Sequence, residues 1–172
     1  MLSSALLGAS LGFLGRALAP SDRLALAAVA GVGAAAVARE LRLLRLPLPQ
    51  LKRQTSGAWS KSLGQPLASF LWGLDIGFVF TTWLTFSGAW LVATLALVTH
   101  DPAFGAVALL AYWIGRALTV WIAPFWISHP GKAMELMVEI GRERQLFRRL
   151  HALALGVITV VFVAAQSSLF TQ

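Results

Sequence analysis

Residues 67–98 and 102–128 form two long apolar runs, separated only by the polar turn Thr99-His100-Asp101-Pro102. About 20 apolar residues in a helix cross a bilayer, and each run is long enough. The rest of the chain has the same texture. Of its 172 residues, 58% are hydrophobic and 12% charged, with a mean hydropathy of +0.74. Soluble domains carry about 25% charged residues, so this chain has too few polar side chains to cover its surface in water. The expected fold is all-α: a polytopic membrane helix bundle of five transmembrane helices in a single membrane domain, 1–172.

The first span is placed at 2–19, where Gly8, Gly12 and Gly15 are spaced four and three apart. That spacing either makes a face for close helix approach or reflects the general tolerance of membrane helices for glycine. The N-terminus lacks a basic leader, and Pro20 follows the only small-residue site that would suit cleavage, so the segment is read as a retained span rather than a signal peptide. Pro20 to Arg23 is a turn in which Ser21 or Asp22 can cap the next helix. The second span, 24–46, has a centre of alanine, glycine and valine that is expected to lie buried between helices, with Pro47 and Pro49 stopping it. The third, 67–98, would be roughly 48 Å long as one straight helix at 1.5 Å per residue. It therefore either tilts strongly or breaks, and the stretch Thr81-Thr82 and Thr85-Phe86-Ser87-Gly88 is the expected break. Spans four and five are placed at 102–128 and 150–170, with Pro124 expected to kink the end of the fourth. Segments 50–65 and 132–149 mix basic and apolar residues and read as interfacial.

The net charge of +7 would point to nucleic acid in a soluble protein. Here the basic residues flank apolar spans, so the partner implied is the lipid bilayer and not nucleic acid. Segments 39–66 and 129–149 hold eleven of the fourteen basic residues. By the positive-inside rule both face the cytoplasm, which places the N-terminus inside and the C-terminus outside the plasma (cell inner) membrane.

Gly15-Arg16-Ala17-Leu18 recurs as Gly115-Arg116-Ala117-Leu118. By charge the two copies run in opposite directions, as a degenerate inverted repeat requires. Spans one and two would then correspond to spans four and five. The Gly-rich interrupted third span, followed by Tyr112-x-x-Gly115-Arg116, resembles the membrane domain of the CcdA/DsbD thiol-electron carriers, mainly over 67–124. The resemblance implies two inverted three-helix repeats, of which the first helix is missing here. The family carries a cysteine near the break of each repeat's first helix. This chain has no cysteine, so only the scaffold carries over, and a dithiol relay cannot run without sulfur.

Asp75 and Arg116 are the charged residues set inside spans. A charge at mid-membrane costs about 2.5–3.5 kcal/mol on insertion scales, so such residues normally pair. The two are read either as a structural pair locking spans three and four or as a substrate, ion or proton site; Arg116 capping carbonyls freed at the break is a third role. Thr81, Thr82, Thr85 and Ser87 place hydroxyls at the break, where they either bind a polar ligand or bond the preceding turn. His129 and His151 lie near the cytoplasmic face and are solvated or, in an electron-transfer reading, axial to haem. Trp83, Trp90 and Trp113 fall deep enough to pack on a helix, a lipid or a pigment. No nucleotide loop, metal motif or catalytic triad is present, and no cofactor is expected; haem or quinone belongs only to the electron-transfer reading. The expected role is non-enzymatic: a small membrane subunit working with other membrane protein subunits. The alternative is a small-solute or ion carrier with its site at Asp75, Arg116 and the break.

Overall fold

A computed structural model describes residues 2–47, 62, 64, 66–68, 70–71, 86–126 and 130–169. The described residues are helical throughout, joined by short turns, with no strand among them. The helices are α1 (Leu2–Leu18), α2 (Asp22–Glu40), α3 (Gly88–Val98), α4 (Pro102–Trp126), α5 (Pro130–Arg142) and α6 (Arg144–Leu169). Within α6, Arg144–Ser167 has the length and a mean hydropathy, 1.9, that suit a membrane crossing. Only 11% of its apolar window is buried in the protein, so most of that apolar stretch faces outward. Leu2–Leu18, Gly88–Val98 and Pro102–Leu118 are shorter apolar helices.

Helix ends follow from local chemistry. Ala19 takes a left-handed φ of 39° and Pro20 follows, which closes α1. Ser21 is the N-cap of α2 but makes no side-chain cap bond, so the expected capping by hydroxyl does not form; Asp22 in the first turn answers the helix dipole instead. The second helix stops at Glu40 rather than running to Leu46. Arg42 adopts φ 61°, its N–H donates to the Arg39 carbonyl, and the Leu43 N–H donates to the Ala38 carbonyl. This pair of bonds is the Schellman ending, and it terminates the helix before either proline acts. At the turn between α3 and α4, the Asp101 carboxylate accepts from the Ala103 N–H at 2.9 Å, with Pro102 at the first helical position. The fourth helix continues through Pro124 to Trp126. The expected amphipathic segment 132–149 is divided: α5 ends at Arg142, Glu143 makes a turn, and Arg144 to Arg149 already belong to the long α6.

Two antiparallel pairs build the bundle, α1 with α4 and α2 with α6, and α3 lies between them. In the first pair, Ser4, Gly8, Gly12 and Gly15 form the buried face of α1. A Cβ on Gly8 would collide with the Gly105 carbonyl, and one on Gly12 would come within 2.5 Å of the Asp101 carbonyl oxygen. The glycine spacing therefore serves close backbone approach. In the second pair, Ala25, Val29 and Ala36 pack with Leu91, Leu95, Val98 and Leu155. The centre of α2 is not wholly enclosed as expected. Ala25, Val29, Gly33 and Ala36 are buried, whereas Ala27, Ala30, Gly31 and Ala34 on the other side are exposed.

Candidate functional site

Glu40 ends α2 with its carboxylate fully buried. A carboxylate there opposes the negative end of the helix dipole, and it is taken out of water as well. Both penalties are met by cations and donors from three elements. Arg39 Nη1 donates to Glu40 Oε1 at 2.8 Å. The Ser87 hydroxyl donates to the same oxygen at 2.7 Å, and the Ser87 backbone N–H donates to it at 2.9 Å. Arg39 Nη1 also donates to the Ser87 hydroxyl oxygen at 3.1 Å. From α6, Arg148 Nε lies 3.4 Å from Glu40 Oε2.

Each contact also completes a helix end. The Ser87 N–H stands at the start of α3, among amide groups that have no partner within the helix. Arg148 Nε donates to the Glu40 carbonyl at 3.1 Å, and its Nη2 donates to the Arg39 carbonyl at 2.8 Å. Arg148 thus neutralises the end of α2 while its donors satisfy that helix's terminal carbonyls. One carboxylate and two guanidiniums tie together the end of α2, the start of α3 and the first turns of α6.

Beside this cluster the Phe86 and His151 rings meet at a centroid distance of 4.8 Å, tilted by 39°. Gly88 lies beneath the imidazole: a Cβ there would sit 3.0 Å from His151 Cε1 and 3.4 Å from a ring carbon of Tyr112. Arg116 lies one turn beyond Tyr112 on α4. Arg116 Nη1 and His151 Nε2 are buried, and neither finds a hydrogen-bond partner among the described residues.

Of the six residues singled out from the sequence, Ser87 is at the centre of this cluster and Arg116 is on α4. Asp75, Thr81, Thr82 and Thr85 lie outside the described residues, and with them the proposed Asp75–Arg116 pair; His129 does too. The third helix begins at Gly88, and the residues before Phe86 on which the expected interruption turns lie outside the described residues. The partners of Ser87 were missed. By sequence alone, Arg39 and Arg148 count among the orientation charges and Glu40 is given no role. The available signal was that Glu40 is the only acid in the basic run from Arg39 to Arg53.

The arrangement is an ion-pair lock in which Glu40 Oε1 is fully partnered, while the buried Oε2 makes no hydrogen bond and is met only by the Arg148 guanidinium at 3.4 Å. Among the described residues no three His, Asp or Glu side chains gather to hold a metal. The chain thus falls in the class of helical proteins with a buried ion cluster and a helix suited to a membrane. No family model matches it, and neither a curated protein nor a solved structure matches it significantly.

Proposed function

We propose that the protein is a five-span plasma-membrane protein, N-terminus cytoplasmic and C-terminus external, built on a CcdA/DsbD-like scaffold. It acts as a non-catalytic subunit of a larger membrane complex. The observation that carries this reading is the closure of the polar centre. Glu40 Oε1 takes three donors and its side chain is fully enclosed. Such a group holds helices in register and offers no open seat to a substrate. The exposed small face of α2 supports a partner helix at that surface. The pairing of α1 with α4 and of α2 with α6 supports the inverted repeat, because counterparts related by a two-fold axis meet across it.

Purification of the full chain in mild detergent, followed by mass spectrometry, tests the subunit role. A membrane protein in constant stoichiometry is expected. A chain that purifies alone, or only with itself, overturns the reading.

A second reading, a small-solute or ion carrier, is favoured by Arg116 and His151, whose buried nitrogens lack partners among the described residues. Asp75 and the hydroxyls of the break would complete its site. Arg116→Ala separates the two. The subunit loses assembly, whereas the carrier still inserts and assembles but loses flux.

A further inference from the structure

After Glu40 the chain folds back on itself, and Arg39 Nε donates to the Leu46 carbonyl at 3.2 Å. The fold-back borders an open pocket of about 550 Å³ lined by Arg39, Arg42, Arg45 and Arg148. Among the described residues its remaining lining is Leu44, Leu46 and Pro47, with no carboxylate. Glu40 behind the wall balances one of the four guanidiniums, so the pocket is strongly cationic. Arg39 and Arg148 spend part of their donors on the lock, while Arg42 and Arg45 form no ion pair among the described residues.

Arg42 is in the left-handed region at φ 61°, the position of the Schellman ending that glycine ordinarily fills. An L-residue there brings its Cβ close to the following carbonyl oxygen and is sterically disfavoured. Its side chain is therefore held over the pocket against a local conformational preference.

The pocket does not end at the arginines. Through Arg39, Leu46 and Pro47 it adjoins a narrower groove of about 230 Å³ between α2 and α3. Val32, Ala35, Ala36, Trp90 and Thr94 line that groove. A cationic pocket opening into an apolar slot matches a molecule with an anionic head and a hydrocarbon tail. Planar guanidiniums suit phosphate oxygens, and the basic end of the bundle is where the positive-inside rule places the anionic leaflet.

We propose that this compound site seats one anionic phospholipid, its phosphate on the four arginines and one acyl chain in the α2–α3 groove. The inference rests on the membrane placement of the helices and not on the subunit role.

The test is native mass spectrometry of the full chain released from micelles containing equal amounts of phosphatidylglycerol and phosphatidylcholine. A single retained phosphatidylglycerol is expected. The double variant Arg42→Gly, Arg45→Gln should lower that preference by about tenfold or more. Its melting temperature should not fall, since glycine relieves the left-handed strain. Ala35→Phe, which fills the groove and leaves the arginines in place, should lose the lipid as well. Equal retention of both lipids, or an unchanged preference in the double variant, overturns the site. Displacement by inorganic phosphate at matching concentration also overturns it and assigns the arginines to a free anion. These failures leave the membrane reading intact; a chain that stays soluble without detergent overturns both.

Discussion

Glu40 shows how one residue holds several elements. Its carboxylate caps α3, pairs with Arg39 beside it, and draws Arg148 from α6 onto the end of its own helix. Removing one member of a buried ion pair leaves the other charges uncompensated and costs about 3–5 kcal/mol. Glu40→Gln should therefore lower stability by that order, read as denaturant unfolding in detergent. Ser87→Ala should lose less, about 1.5–3 kcal/mol, the worth of a hydrogen bond to a charged group. An equal loss from both variants would mean that the hydroxyl, not the ion pair, organises the cluster. The lock was not legible in the sequence because its partners are remote. Ser87 lies 47 residues from Glu40, and Arg148 lies 108 residues away. Arginines at a helix end look alike whether they face lipid headgroups or a buried carboxylate.

At the scale of elements, the sequence was most informative where the physics is local. Gly8, Gly12 and Gly15 spaced for one helix face predict close approach, and there the backbone of α1 does meet Gly105 of α4, Asp101 in the turn before it and Leu97 of α3. The same reasoning overreached in α2. A run of small residues has no side that declares itself, so burial all round was expected where only one face is covered. Helix ends also escaped. The stop at Glu40 depends on a strained Arg42 and on Arg148 arriving from α6. Two glycines make a paired test of these faces. Gly8→Leu must push α1 off α4, and the protein should fail to accumulate in the membrane or lose most of its stability. Gly31 has open space around it, so Gly31→Leu should leave folding unchanged. In the subunit reading it should still reduce recovery of the partner. Folding damage from Gly31→Leu as large as that from Gly8→Leu would contradict the packing described.

At the scale of the whole molecule, the charge asymmetry and the antiparallel helix pairs make a topology that labelling can test. The chain contains no cysteine, so introduced thiols report without background. Ser21→Cys should react with a membrane-impermeant maleimide in intact cells. Arg45→Cys, at the basic end of the bundle, should react only after permeabilisation. The reverse pattern would invert the orientation, and labelling of both in intact cells would remove the proposed arrangement of spans.

The contact between α1 and α4 is tightest where the backbone at Gly8 touches the backbone at Gly105, so no side chain fits between the two helices at that point. The looser boundary is between α2 and α6, where Gly33, Val37, Gly156 and Val160 line an open apolar furrow. In the proposed bilayer placement, that furrow is where the tail of a neighbouring lipid or an apolar partner helix would find room against the chain.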